Sequence, residues 1–179
     1  MPRYAAIDIG SNSIRMQAAE VAPGSPTRIL ASERQVVRLG ESVFRNGVIS
    51  TEAMDLACEV LARMAAQYQK LDIVGSRAVA TSAVRDARNQ AQFLDRASQA
   101  VGAPVEIISG REEARLIHLG VQSRWPHPQE RVLIIDIGGG SAEIIASEHG
   151  RMRDAFSKPL GAVRLNAIFL RNDPPLARE

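Results

Sequence analysis

The constraint that narrows the fold most is a repeat. "AIDIGSNSIR" occupies residues 6–15 and "IIDIGGGSAE" occupies 134–143, so hydrophobic-Asp-Ile-Gly-x-x-Ser is written twice. Asp8/Asp136, Gly10/Gly138 and Ser13/Ser141 match in one register at an offset of 128 residues. Two unrelated turns share a few letters easily, but three matched turn positions inside matched apolar flanks indicate a duplicated structural unit. Each copy reads as a strand ending in Asp, a tight polar turn, and a second strand, with glycine where backbone must approach a neighbour or ligand closely.

The rest of the chain fits an α/β pattern built around those two hairpins. Strands are expected at 3–9, 13–21 and 27–39, forming an antiparallel meander. A turn in "RNGVIST" leads to Ser50 or Thr51 as N-cap of a helix over about 51–69, whose apolar residues recur at helical spacing. "LDIVGSRAVAT" (71–81) reads as a strand. A short helix around 83–86 follows, capped by Thr81 or Ser82, then a helix over 89–102 ended by Gly102 and a strand over 104–108. A helix over 110–123 precedes "RWPHPQER", the most linker-like stretch. The meander then restarts with strands at 132–137, 141–147 and 151–158, a helix from about 162, and "NDPPLARE" beginning a further element. These readings predict a first domain over 1–125 and the start of a shorter second domain over 126–179.

Composition excludes several classes. Hydrophobic residues make up 45% and charged residues 23%, an ordinary balance for a chain with a buried core. No apolar run approaches the roughly 20 residues of a membrane-spanning helix, and "MPRY" leads into a strand without a signal-peptide core, so the expected compartment is the cytoplasm. Cys58 is the single cysteine and falls on the apolar face of the 51–69 helix, where a core role fits better than a nucleophile. Net charge is +2, and aromatics at 4% without basic runs argue against an extended nucleic-acid surface. Nearly all positive charge is arginine, which suits bidentate phosphate binding.

Glycine-rich hairpin tips present several backbone N–H groups, and such tips hold phosphate. Gly138–Gly140 remove every side chain that could block an anion from the second tip. An ordinary hairpin is the competing explanation, and the duplication with matched Asp and Ser favours a paired anion site over it. Asp136 and Glu143 flank the same tip; two carboxylates beside a phosphate are tolerated when a cation such as magnesium intervenes or when they handle a water. In the first copy the position of Glu143 is Arg15, so the two turns are chemically unequal.

In "ISGREEARLIHLGV", Ser109-x-x-Glu112 forms a capping box that gives Glu112 a structural task. Advancing about 100° per residue places Glu113 in the middle of an apolar face made by Leu116, Ile117, Gly120 and Val121. A carboxylate there is costly unless paired, hydrated or used, and partial burial would move its proton affinity towards a range useful for proton abstraction. A structural ion pair, with Arg85 for example, is the alternative. His118 falls on the polar side of the same helix and is expected to face solvent. The three histidines lack metal-ligand spacing, and no Walker A, GxGxxG or CxxC pattern occurs.

"AIDIGSNSIR", "ATSAVRDARN", "VEIISGREEARLIHLGV", "IIDIGGGSAEII" and "KPLGAVRL" resemble, in order and spacing, the motifs of the exopolyphosphatase / guanosine pentaphosphate phosphatase (Ppx/GppA) family. The resemblance implies two ribonuclease-H-like domains of the actin-like, sugar-kinase and Hsp70 ATPase superfamily, one complete here and the second only begun, with a phosphate-holding cleft. It implies Glu113 as the catalytic base. Asp136 and Glu143, with Asp8, become candidate Mg2+ ligands or water-positioning groups. Ser11, Asn12 and Ser13 would line one phosphate loop and Gly138, Gly139, Gly140 and Ser141 the other, with Arg85 holding phosphate. The implied activity is release of terminal phosphate from inorganic polyphosphate. The alternatives are guanosine pentaphosphate 5′-phosphohydrolysis, a superfamily kinase or ATPase, which the Glu113 motif opposes, and non-catalytic polyphosphate or nucleotide binding. An unfinished second sheet would expose apolar surface able to pair with another molecule, a homodimer being one such pairing.

Overall fold

The computed structural model describes residues 1–170, 172 and 174–177. It divides into two compact units, Met1–Ile107 and Ile108–Glu179.

In the first unit, β1 (Arg3–Ile9), β2 (Ser13–Glu20) and β3 (Arg28–Val36) form the expected antiparallel meander. β4 (Gly75–Ala80) adds parallel to β1, and β5 (Val105–Ile107) parallel to β4, giving the order β3-β2-β1-β4-β5. Strand alternation sends Ala5, Ile7 and Ile9 of β1 and Ile14, Met16 and Ala18 of β2 to one face, where all are buried. That face is sealed by α2 (Thr51–Tyr68), through Met54, Ala57, Val60, Leu61 and Met64, and by α4 (Gln90–Val101), through Phe93, Ala97 and Val101. Ser50 caps α2 by accepting the Ala53 N–H at 3.2 Å, and Gly102 ends α4 at φ 72°. Cys58 is half-buried against this core, and burial pushes its thiol pKa up.

β3 stops at Val36, short of the strand expected over 27–39, and α1 (Leu39–Asn46) follows as a helix the sequence reading did not include. Its N-cap is Arg38 in the left-handed region, φ 52°, with no side-chain cap, so no start signal marks it. Only Gly47 at its C-terminus, φ 75°, is a sequence cue. α3 (Ser82–Asp86) lies where the short helix was expected.

The second unit holds α5 (Gly110–Arg124), β6 (Arg131–Ile137), β7 (Ala142–Glu148), β8 (Arg151–Lys158) and α6 (Ala162–Phe169), with sheet order β6-β7-β8. The units divide before α5 rather than after it, where the linker-like stretch had suggested a boundary at 125/126. α5 packs on β7 and β8, and its length belongs with that sheet. The "RWPHPQER" stretch is anchored, because His127 within it is 2% exposed. Part of "NDPPLARE" lies outside the described residues.

At the repeat's offset the burial differs: Ile7, Ile9 and Met16 are at most 2% exposed, whereas their counterparts Ile135, Ile137 and Ile144 are 58%, 67% and 36% exposed, and of these apolar pairs only Ile14 and its counterpart Ala142 are both buried. α5 covers the other face of the second sheet, where Glu143, Ile145 and Ser147 are buried. Among the described residues no helix is long and apolar enough to cross a membrane.

Candidate functional site

The first hairpin is rigidified from several sides. Asp8 lies opposite Arg15 across the β1–β2 ladder, and the Gly10 N–H closes the turn on the Ser13 carbonyl at 3.1 Å. The carbonyl of Ser11 accepts from the Gly40 N–H at 2.8 Å, and that of Asn12 from the N–H groups of Val37 and Arg38, both at 3.0 Å. The C=O and the next N–H of a trans peptide point in opposite directions. The start of α1 therefore turns the N–H groups of Asn12 and Ser13 to the opposite side. Ser11 and Ser13 are buried; Ser11 Oγ sits 2.9 Å from Ser82 Oγ, and Arg34 Nε donates to Ser13 Oγ at 3.2 Å. Ser82 thus ties α3 to the loop, and neither it nor Thr81 makes a side-chain cap to α3. Arg85 is half-buried in the last turn of α3, which follows the β4 end that bonds β1 through Thr81 N–H to Ile9 carbonyl. Arg88, its neighbour on the chain, donates instead to the Asn46 carbonyl.

The second hairpin repeats the closure: the Gly138 N–H donates to the Ser141 carbonyl at 2.9 Å. Here α6 supplies the bracing. The Ala162 N–H donates to the Gly138 carbonyl at 3.0 Å, the Arg164 N–H to the Gly139 carbonyl at 3.0 Å, and Arg164 Nε to the Gly140 carbonyl at 2.7 Å. By the same peptide geometry, the N–H groups of Gly139, Gly140 and Ser141 turn away from α6 together. Gly161 must be glycine because a Cβ there would strike the backbone of Gly139 and Gly140.

Asp136 and Glu143 are direct partners across the β6–β7 ladder and share a face. Glu143 is 1% exposed, and its Oε1 accepts from Ser157 Oγ at 2.7 Å. Ser157 in turn abuts Gly110, the first residue of α5, so closely that a side chain at 110 would collide with it. α5 therefore begins against the carboxylate end of the sheet, with Glu113 three residues further on. Ser109 caps the helix by accepting the Glu112 N–H at 3.2 Å, and the Glu112 carboxylate is held by Arg115 through two bonds of 2.7 and 2.8 Å. Glu112 thus meets the cap through its backbone N–H, while its carboxylate serves an ion pair with Arg115.

Two expectations about α5 change. Glu113 stands at the margin of the buried stripe, half-buried with a buried Oε2, and not at its centre. The centre is Ala114 and His118, and His118 is 5% exposed instead of facing solvent. Its Nε2 lies 2.9 Å from Ser147 Oγ, and His127 Nε2 lies 3.0 Å from the same oxygen. His127 Nδ1 reaches the Trp125 carbonyl at 3.0 Å, so it must carry the proton there. The polarity then runs one way: His118 Nε2–H donates to Ser147 Oγ, Ser147 O–H donates to His127 Nε2, and His127 Nδ1–H donates to Trp125 O. Burial, and then the nearby His127, hold the His118 pKa below its ordinary value. A hydropathy pattern that scores histidine as polar cannot place it in a core built around a buried hydroxyl.

Asp8, Ser11, Asn12, Ser13 and Arg85 thus lie in the first unit, and Asp136, Gly138–Ser141, Glu143 and Glu113 in the second. Sequence reasoning missed the bonds made by Ser82, Arg34, Ser157 and Arg164, which cross between elements and leave no local pattern. Asp8 belongs to the first unit, and among the described residues no three His, Cys, Asp or Glu side chains form a metal-binding group. The carboxylates available to a cation within the second unit are Asp136 and Glu143. Such a pair suits magnesium, which takes one or two carboxylates and completes its shell with water and phosphate oxygens.

A meander with a polar hairpin tip, written twice and followed each time by helical structure, is a ribonuclease-H-like architecture. An ethanolamine utilization protein, EutJ, of Carboxydothermus hydrogenoformans shares this fold at TM-score 0.52 and 18% identity, over 93% of this chain and 55% of that one. Within that class the chain belongs to the Ppx/GppA phosphatase family, whose model matches residues 18–179. The Ppx-GppA enzyme of Aquifex aeolicus superposes with TM-score 0.81 at 32% identity, covering 98% of this chain and 58% of that one. An exopolyphosphatase of Cytophaga hutchinsonii superposes with TM-score 0.90 at 32% identity, covering 98% and 56%. The chain spans less than three fifths of the length of either.

Proposed function

We propose that this chain belongs to a hydrolase that releases the terminal phosphate of inorganic polyphosphate, with Glu113 as general base. The observation that carries this reading is the junction in the second unit. There the start of α5, Ser157 and Glu143 are in contact, so a half-buried carboxylate stands one turn from the carboxylate end of a hairpin whose tip presents backbone N–H groups. Hydrolysis of a phosphoanhydride needs little covalent chemistry from a protein; it needs an oriented water, a proton acceptor and donors for the charge on the transferring group. Glu113 accepts the proton of the attacking water. The N–H groups of Gly139, Gly140 and Ser141 hold the equatorial oxygens, and within the first unit the Ser11–Ser13 loop and Arg85 form a phosphate-binding group of their own. Asp136 and Glu143 would hold Mg2+, which when bound neutralises phosphate charge. The exopolyphosphatase of Cytophaga hutchinsonii, at 32% identity, supports polyphosphate as substrate.

In the full-length protein, Glu113→Gln should lower phosphate release from polyphosphate by roughly 10²–10⁴-fold, with polyphosphate affinity and thermal melting retained. Near-normal turnover would defeat the general-base role. Polyphosphate and guanosine pentaphosphate assayed side by side on the wild type decide the substrate, and faster release from the nucleotide would overturn the polyphosphate assignment.

A further inference from the structure

The two hairpins solve one mechanical problem differently. At the repeat's offset, Gly138, Gly139 and Gly140 correspond to Gly10, Ser11 and Asn12, and the closing bond of Gly10 N–H to Ser13 carbonyl recurs as Gly138 N–H to Ser141 carbonyl. Ser11 and Gly139 both give their carbonyls to a backbone N–H from the helix that follows the meander, Gly40 in one case and Arg164 in the other. The next carbonyl differs. Asn12 is held by two backbone N–H groups, those of Val37 and Arg38, whereas Gly140 is held by the guanidinium of Arg164 at 2.7 Å. The first loop also has side-chain anchors, Ser11 to Ser82 and Ser13 to Arg34. The three glycines of the second have none to offer, and glycine has the widest backbone freedom of any residue.

We propose that Arg164 is a positioning residue for phosphate at the second loop. By fixing the Gly140 carbonyl it fixes the plane of the peptide that carries the Ser141 N–H, and so completes a row of three donors directed at one anion. The proposal rests on the reading of this loop as a phosphate site. One residue thereby acts twice: its backbone N–H orients the Gly139–Gly140 peptide and its side chain orients the Gly140–Ser141 peptide. Gly161 permits this, because any side chain at 161 would push the loop away from α6. Only the second of these bonds is open to mutation without touching the backbone.

The test uses Arg164→Met, which keeps an apolar stem and removes the donor, and Arg164→Lys, which keeps one. In the full-length protein, orthophosphate is titrated while the amide resonances of Gly139, Gly140 and Ser141 are followed by NMR, alongside melting and kcat on polyphosphate. Wild type should show saturable shifts at all three amides. Arg164→Met should lose the Ser141 shift, weaken phosphate by about tenfold, the worth of one good hydrogen bond, and lower kcat by on the order of 10²-fold, at unchanged melting temperature. Arg164→Lys should recover part of both. Wild-type shifts and affinity in Arg164→Met would overturn the role of Arg164 while leaving the phosphate site standing. A binding loss that follows a lowered melting temperature and is not restored by lysine would also overturn it. Absence of any shift in the wild type would remove the phosphate site itself, and with it this proposal.

Discussion

Replacing Ser147 by alanine should destabilise the second unit far more than the loss of one surface hydroxyl would. Ser147 is 3% exposed, and its Oγ bridges two buried imidazoles, His118 at 5% and His127 at 2% exposure. Removing Oγ leaves a buried Nε2–H of His118 and a buried Nε2 lone pair of His127 each short of its partner at 2.9 and 3.0 Å. An unsatisfied buried polar group costs about 1–3 kcal/mol, so two together should cost roughly 2–6 kcal/mol, with a few tenths recovered by relaxation. Urea denaturation followed by tryptophan fluorescence reads the change, since Trp125 is the single tryptophan and lies 5.4 Å from the His127 ring. Hydrogen exchange should show the loss concentrated in α5 amides. The cluster also sets a pH dependence. His118 has a lowered pKa in the folded state, so the unfolded chain binds more protons just below its ordinary value of about 6.5. Stability should therefore be complete above that pH and fall as the pH drops through it towards the depressed value. Ser147→Ala destabilised by less than about 0.5 kcal/mol, the scale of a surface change, would refute the one-way hydrogen-bond chain assigned here.

Phe93→Ala in α4 removes a fully buried ring from the first unit's core and should cost about 3–5 kcal/mol, read as a lower urea midpoint with unchanged slope. Glu20 receives Arg28 at 2.8 Å and Arg3 at 3.0 Å, and the Arg28 hydrogen bond holds its carboxyl below the usual range. Its contribution is present above the ordinary carboxylate value and is lost as pH falls through the lowered one. Wild type should thus melt higher than Glu20→Gln near neutrality, with the gap closing in acid; a gap independent of pH would contradict the assignment.

Much of the fold was legible because periodicity is local. The alternation of Ile7 and Ile9, the helical spacing of Met54 to Met64 and the glycine stop at Gly102 are each decided within a turn or two of chain. α1 escaped because Arg38, its N-cap, adopts a left-handed conformation that nothing in its side chain advertises. The site was legible where it lay on one stretch: the two hairpin tips, and Glu113 behind its capping serine. It was illegible where a bond joins stretches far apart in sequence, as in Ser11 to Ser82, Ser157 to Glu143 and Arg164 to Gly140.

The amino-acid sequence by itself determined that this chain contains one unit written twice, each with an acidic strand end and a glycine hairpin, because a repeat in register is a property of order alone. The tertiary structure decided which face of each sheet is buried, that α5 packs with the second sheet, and that a histidine occupies its core. It also decided which carbonyls are held so that the hairpin N–H groups point one way. Those outcomes depend on what lies opposite each side chain, and neighbours in space are chosen by packing and hydrogen-bond satisfaction over the whole chain, not by the residues on either side.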